Sequence, residues 1–356
     1  MKKHNFFAGP AILADEVIKA SSQAVLDYNN SGLSILEMSH RSVPIVSMME
    51  ETCSLTKELI GLNDDWEVLF LTGGASSQFF TAPMNLLELN DTAYFVNTGS
   101  WSSKAIKEAQ KFGNIKVLAD SKEANYNYIP KGFAIPDDGR YLHLTSNNTI
   151  FGTQYQEWPE SPIPIVCDMS SDIFSRPINP ENFGLIYAGA QKNLGPAGLT
   201  LVLINKSFLG QGKKDLPTML NYHTHISKQS SFNTPPVFQI YVCLESLKWL
   251  KNNGGITAMQ IRNEEKAQLL YAEIDRNSLL GGTTLTEDRS RMNVCFTAVN
   301  QEIEQDLLAM SEEAGCVGLK GHRSVGGFRA SIYNAMSIDS IQVLIDVMKE
   351  LEKKHT

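Results

Sequence analysis

GLIYAGAQKNLGPAGLTLVLIN, residues 184–205, sets two apolar runs on either side of a Gly- and Ala-rich connection that carries one lysine, Lys192. The runs GLIYAGA and LTLVLIN are nearly continuous in aliphatic residues, as expected for strands covered on both faces. Working outward, similar short runs recur: WEVLFLT from Trp66, AYFVN from Ala93, IKVLA from Ile115, RYLHLTS from Arg140 and PIVCDMS from Pro164. Helical patterns such as SSQFFTAPMNLLEL and SSKAIKEAQKFG fall between some of them. That alternation predicts an α/β domain with a mainly parallel sheet flanked by helices.

The pattern changes after Pro235-Pro236. VFQIYVCLESLKWLKNNGG reads as a long helix ending at Gly254-Gly255, and ITAMQIRNEEKAQLLYAEIDRN as a second. Two strand-like runs, RMNVCFTAV and FRASIYNA, come next, with a helix near 303–314 between them and a last helix near 338–353. We therefore expect an N-terminal segment over 1–15, a large domain over 16–257 and a smaller α+β C-terminal domain over 258–356.

Net charge is −8, from 31 basic and 39 acidic residues, which argues against nucleic acid or an anionic membrane as the main partner. No stretch approaches the roughly 18–20 apolar residues that cross a bilayer. The N-terminus MKKHNFFAGPAILADEV lacks an apolar signal region, so a cytoplasmic location is expected. The five cysteines are widely spaced with no CxxC pair, and several sit in apolar runs, which predicts reduced core thiols. His223-x-His225 has metal-ligand spacing, but it falls in a polar stretch without further ligands nearby, and no metal is expected.

Three features carry chemistry. LFLTGGASSQFF, residues 69–80, runs a strand through a Gly pair into a helix, a junction that offers backbone N–H groups to an anion; it also suits a plain turn. Asp168 ends an apolar strand, where ligands bind in open α/β sheets, although a helix cap or turn residue would look the same. Lys192 lies in apolar sheet surroundings, where burial lowers an amine's pKa and leaves it nucleophilic; the alternative is a solvated loop lysine. Pyridoxal 5'-phosphate needs all three: a lysine for its aldehyde, a carboxylate for its ring nitrogen and a cradle for its phosphate. Trp101, in VNTGSWSSKA, is placed to stack on the ring, though a core tryptophan is also in keeping with its residue type.

Longer strings sharpen this reading. FFAGPA at 6–11, EMSHRS at 37–42, FSRPI at 174–178, IYAGAQKNLGPAGLT at 186–200, FNTPP at 232–236, SRMNV at 290–294 and KGHRSVGGFRASIYNA at 320–335 span nearly the whole chain. In them the chain resembles the phosphoserine aminotransferase family, fold-type I pyridoxal-phosphate enzymes of the class V aminotransferase group. The resemblance implies a homodimer that moves an amino group from L-glutamate to 3-phosphohydroxypyruvate in L-serine biosynthesis. It leaves room for 4-phosphohydroxythreonine in vitamin B6 synthesis. It implies that Lys192 links to the cofactor, Asp168 pairs with its ring nitrogen and Trp101 stacks on it. Thr149 and Gln191 contact the ring region. Ala75 and Ser76 hold the phosphate, helped by Asn233 and Thr234 of a second subunit. Arg329 takes the substrate α-carboxylate, while His40, Arg41, His322 and Arg323 surround the substrate phosphate or glutamate's side-chain carboxylate. From the residues alone, each His-Arg pair would read as solvated surface. One departure is Ser76, where some members carry arginine.

Overall fold

The computed structural model describes residues 3–210 and 215–355. The chain opens with strand β1 (His4–Asn5) and helices α1 (Asp15–Leu26) and α2 (Val43–Ile60). Then come β2 (Trp66–Thr72), α3 (Gln78–Leu86), β3 (Thr92–Asn97), α4 (Ser100–Ala109), β4 (Asn114–Asp120), β5 (Leu142–Thr145) and β6 (Ile165–Asp168). β7 (Phe183–Gly189) and β8 (Leu199–Asn205) finish the large sheet, followed by α5 (Lys206–Leu209), α6 (Tyr222–Ser227) and α7 (Val237–Asn252). Each of the apolar runs forms a strand, and the two long C-terminal helical patterns form α7 and α8 (Gly255–Arg276).

The seven strands lie in the order β2-β8-β7-β6-β5-β3-β4. All neighbours are parallel except those of β8, which runs against both β2 and β7. The reason is the length of the connection from Ala190 to Gly198: a parallel crossover needs about a dozen residues or more, so the chain turns straight back. Lys192 therefore sits in a tight return between two sheet strands, not in a loop leading to a helix. Alternate side chains along each strand enter two separate cores. Val68, Phe70, Leu142, Leu144, Ile186 and Leu203 pack beneath α1, α2 and α7, whereas Leu69, Phe95, Val166, Tyr187 and Val202 pack beneath α3 to α6. Burial on both faces is why the runs lack polar alternation.

The C-terminal part is built from β9 (Leu280–Gly282), β10 (Asn293–Ala298), α9 (Gln301–Glu313), β11 (Cys316–Val317), β12 (Phe328–Ser331) and α10 (Ile338–His355). An antiparallel sheet in the order β12-β10-β9 packs with α8, α9 and α10. The N-terminal residues join this unit: β1 pairs in parallel with β11, His4 opposite Cys316, and Phe6 is fully buried in the same core. We propose that the domain boundary lies at the start of α8, where Gly254 adopts φ 95°, and that residues before Ala11 belong with the small domain. His223 and His225, expected in a polar loop, lie in α6, capped by the Asn221 side chain; His225 Nε2 lies 2.9 Å from the Met219 carbonyl oxygen. Among the described residues, no helix is long and apolar enough to cross a membrane.

Phe6→Ala is expected to destabilise the protein by about 3 kcal/mol, the usual cost of emptying an aromatic core site. Chemical denaturation measures it. A loss below about 1 kcal/mol would show that the N-terminal segment is not integral to the small-domain core.

Candidate active site

A cavity of about 280 Å³ opens at the carboxyl ends of the parallel strands, and its walls come from separate elements. The turn after β2 supplies Gly74, Ala75 and Ser76, and α4, entered from β3, supplies Trp101. The segment after β5 supplies Asn147 and Thr149, β6 supplies Asp168, and the return between β7 and β8 supplies Gln191 and Lys192. From the small domain come His322 and Arg329, and from the N-terminus Ala8 and Gly9. This is where ligands collect on open α/β sheets, because strand ends converge there while the sheet interior is filled.

Asp168 is held by the turn that leaves β6. Its Oδ1 accepts from the Ser170 backbone N–H at 2.9 Å and from the Ser170 hydroxyl at 2.6 Å, while Ser170 Oγ accepts from the Gly189 N–H at 3.1 Å. Oδ2 has no hydrogen-bond partner among the described residues. Burial pushes the carboxyl pKa up, and the Ser170 hydrogen bond and the Lys192 charge pull it back only in part. Such a group gains most from a nearby protonated ring nitrogen, which would complete its hydrogen bonding and neutralise its charge.

Burial also dominates at Lys192, lowering its amine from the ordinary lysine value to about 8; Asp168 opposes this and Arg329 reinforces it. Its Nζ stands 5.9 Å from the centre of the Trp101 ring. Trp101 Nε1 donates to Thr149 Oγ1 at 3.1 Å, and the Thr149 carbonyl accepts from Arg329 Nη1 at 2.8 Å. One residue thus positions both the flat aromatic face and the guanidinium. Arg329 Nε is buried without an acceptor, leaving a donor free for an incoming carboxylate.

At the opposite wall, Gly74 caps a short 3₁₀ turn that leads into α3. Ala75 and Ser76 stand at its start, so their N–H groups have no acceptor within the helix and face an anion naturally. The N-terminal strap closes the cavity above Lys192. Gly9 adopts φ 146°, a Cβ there would come within 3.5 Å of the Gln191 and Lys192 side chains, and the Tyr333 hydroxyl holds the Ala8 carbonyl at 2.7 Å. An amine of lowered pKa, an uncommitted carboxylate oxygen, a flat indole and an anion-ready helix start fit pyridoxal 5'-phosphate group by group.

Sequence reasoning missed Asp172. It is buried behind Asp168, accepts from the Ser146 hydroxyl and from Gln154 Nε2 at 3.0 Å, and faces Arg176 at 3.9 Å. The Ser146 backbone N–H donates to the Asp168 carbonyl at 3.0 Å, so the network braces the end of β6. The available signal was its place in DMSSDIFSR, one turn beyond Asp168.

Not every expected residue reaches this cavity within one chain. His40 and Arg41 line a separate groove of about 390 Å³ with Met49, Cys53 and Lys228. Asn233 lines another with Ser77 and Gln78, and Thr234 is exposed. Arg323 is exposed on the loop before β12 and, with burial, Arg329 and Lys104, holds the His322 imidazole below its usual range.

In cofactor-free protein, acylation of Lys192 read by mass spectrometry should follow a midpoint near pH 8, about two units below exposed lysines. Asp168 favours the charged amine, so Asp168→Asn is expected to move the midpoint lower still. A midpoint at the ordinary lysine value would contradict the electrostatics described.

Comparison with known proteins agrees with the geometry. The family model Aminotransferase class-V matches residues 4–344. A phosphoserine aminotransferase of Flavobacterium psychrophilum is 56% identical over 355 residues, covering 99% of this chain and 100% of that protein. The structure of the phosphoserine aminotransferase from Bacillus circulans subsp. alkalophilus superposes with a TM-score of 0.97 at 44% identity, covering 100% of this chain and 99% of that one. That of a PLP-bound phosphoserine aminotransferase from Trichomonas vaginalis gives 0.93 at 33% identity, over 98% and 100%. The chain belongs to the phosphoserine aminotransferases, within the class-V aminotransferase family.

Proposed function

We propose that the cavity around Lys192 is the site at which this aminotransferase passes the amino group of L-glutamate to 3-phosphohydroxypyruvate, giving 2-oxoglutarate and O-phospho-L-serine in L-serine biosynthesis. The observation that carries the assignment of residues is the meeting, in one cavity, of the Lys192 amine, the uncommitted Asp168 oxygen and the Ala75–Ser76 N–H groups. When bound, pyridoxal 5'-phosphate supplies an aldehyde that takes up the amino group and a ring that accepts electrons from the substrate Cα–H bond.

The chain's own residues do the rest. Lys192, with a pKa near 8, is neutral in a useful fraction at physiological pH and takes the proton from the substrate Cα, later returning it as an acid. Asp168 would keep the ring nitrogen protonated, Trp101 would stack on the ring, and Thr149 and Gln191 would contact its hydroxyl region. Ala75 and Ser76 bind the cofactor phosphate through backbone N–H groups and a hydroxyl. Arg329 grips the substrate α-carboxylate. His322 and Arg323 bind the phosphate of one substrate and the side-chain carboxylate of the other, so both substrates use one site in turn with ping-pong kinetics. His40, Arg41, Asn233 and Thr234 do not line the cavity of their own chain, which supports a homodimer in which they serve the partner's site.

A sulfur-transferring enzyme of the same fold would need a reactive cysteine. Burial instead drives the Cys295 thiol up to about 12, and Cys316 to about 11.

Purified protein supplied with cofactor should form O-phosphoserine from L-glutamate and 3-phosphohydroxypyruvate, and Lys192→Ala should form none. Pyruvate is expected to be rejected by about 10⁴-fold in kcat/KM, because it leaves the site's cations unpaired. Comparable rates with pyruvate would refute phosphate recognition, and product from Lys192→Ala would refute the role of the lysine.

A further inference from the structure

One cation beside a wall of the cavity is not accounted for by the assigned residues. Lys104, on α4, places its Nζ 4.5 Å from the centre of the Trp101 ring, the ring that Lys192 approaches from within the site. The loop before β12 brings His322 and Arg323, and β12 itself brings Arg329. The charge of Lys104 is felt at His322 together with those of both arginines. Among the described residues, none of Lys104, Lys192, Arg323 and Arg329 makes an ion pair with a carboxylate. Among the described residues, exposed Lys111 and Lys251 do, whereas exposed Lys19 and Lys107 do not; what sets Lys104 apart is its seat on the Trp101 ring.

Lys104 also gains nothing as a helix residue. It lies toward the N-terminal end of α4, where the helix dipole disfavours a cation. Glu108, one turn further on, is paired with Lys111 instead. What holds Lys104 in place is the indole face beside the cavity. An ammonium without a carboxylate partner, beside a low-dielectric cleft, raises the local concentration of anions.

We propose that Lys104 is an electrostatic capture residue for the phosphate of the incoming substrate, drawing the dianion over Trp101 toward His322 and Arg323. The proposal rests on the aminotransferase reading of the Lys192 cavity. Capture by a surface charge acts on the encounter, so it shows in kcat/KM and fades with salt.

The test compares wild-type holoenzyme with Lys104→Gln and Lys104→Arg, using L-glutamate and 3-phosphohydroxypyruvate over a range of sodium chloride. At low salt, Lys104→Gln should lose about fivefold in kcat/KM for 3-phosphohydroxypyruvate, mostly through KM. The gap should close to less than about twofold near 0.5 M salt, where screening acts within several ångströms. Lys104→Arg should restore the wild-type value and salt dependence. Bound-cofactor absorbance serves as the check that Lys104→Gln keeps the site intact. Equal kcat/KM at low salt, or a deficit that salt does not diminish, overturns the proposal. If the wild type shows no turnover at all, the transaminase reading fails instead. Calorimetric titration of holoenzyme with inorganic phosphate then decides the role of Lys104: weaker binding to Lys104→Gln supports capture, and equal binding overturns it.

Discussion

The structure turns on making one amine easier to deprotonate than an ordinary lysine while it stands beside a carboxylate. Burial pulls the charge off Lys192, and the attraction of Asp168 and Asp172 works to keep it on. Were burial weaker, the amine would hold its proton as an ordinary lysine does; were Asp168 absent, the amine's pKa would fall further. The value near 8 is the balance of the two. Ser170 helps to set it, because it occupies one oxygen of Asp168 and so limits how strongly that carboxylate can hold the ammonium.

The fold serves this balance by where its strands end. β6 and β7 are parallel neighbours, with Asp168 opposite Tyr187, so the carboxylate and the return bearing Lys192 emerge side by side. Reversal of β8 keeps that return short and ties it down at both ends by antiparallel pairing from Gly189 opposite Thr200. Residues 332–334 brace it from the small domain, where the Asn334 N–H donates to Asn193 Oδ1 at 3.0 Å. Lys266 donates in turn to the Ile332 and Tyr333 carbonyls at 2.9 and 2.8 Å. The small domain is thus a clamp on the return that bears Lys192 as well as the source of Arg329.

Much of this was legible because it is encoded locally. The apolar runs marked every strand of the large sheet, and Gly73-Gly74, Asp168 and Lys192 each stood at the end of such a run. What escaped depends on distant contacts. The pairing of His4 with Cys316 joins the two ends of the chain, and two-residue strands leave no periodic trace. Asp172 looks in sequence like any loop carboxylate, since only the fold closes Ser146 and Gln154 around it. The reversal of β8 was implicit in the short stretch from Ala190 to Gly198, a constraint of chain length rather than of residue type. His40 and Arg41 matched by motif, yet the fold places them in a groove apart from the cavity of their own chain.

Among the described residues two lysines have lowered pKa values, half-buried Lys192 near 8 and fully buried Lys266 near 7, but only Lys192 lines the cavity with Asp168. Lys266 spends its donors on backbone carbonyls. Borohydride reduction of protein loaded with pyridoxal 5'-phosphate, followed by peptide mass spectrometry, separates them. The account predicts one stable cofactor adduct, on Lys192. An adduct on Lys266 or another lysine, with Lys192 unmodified, would contradict it.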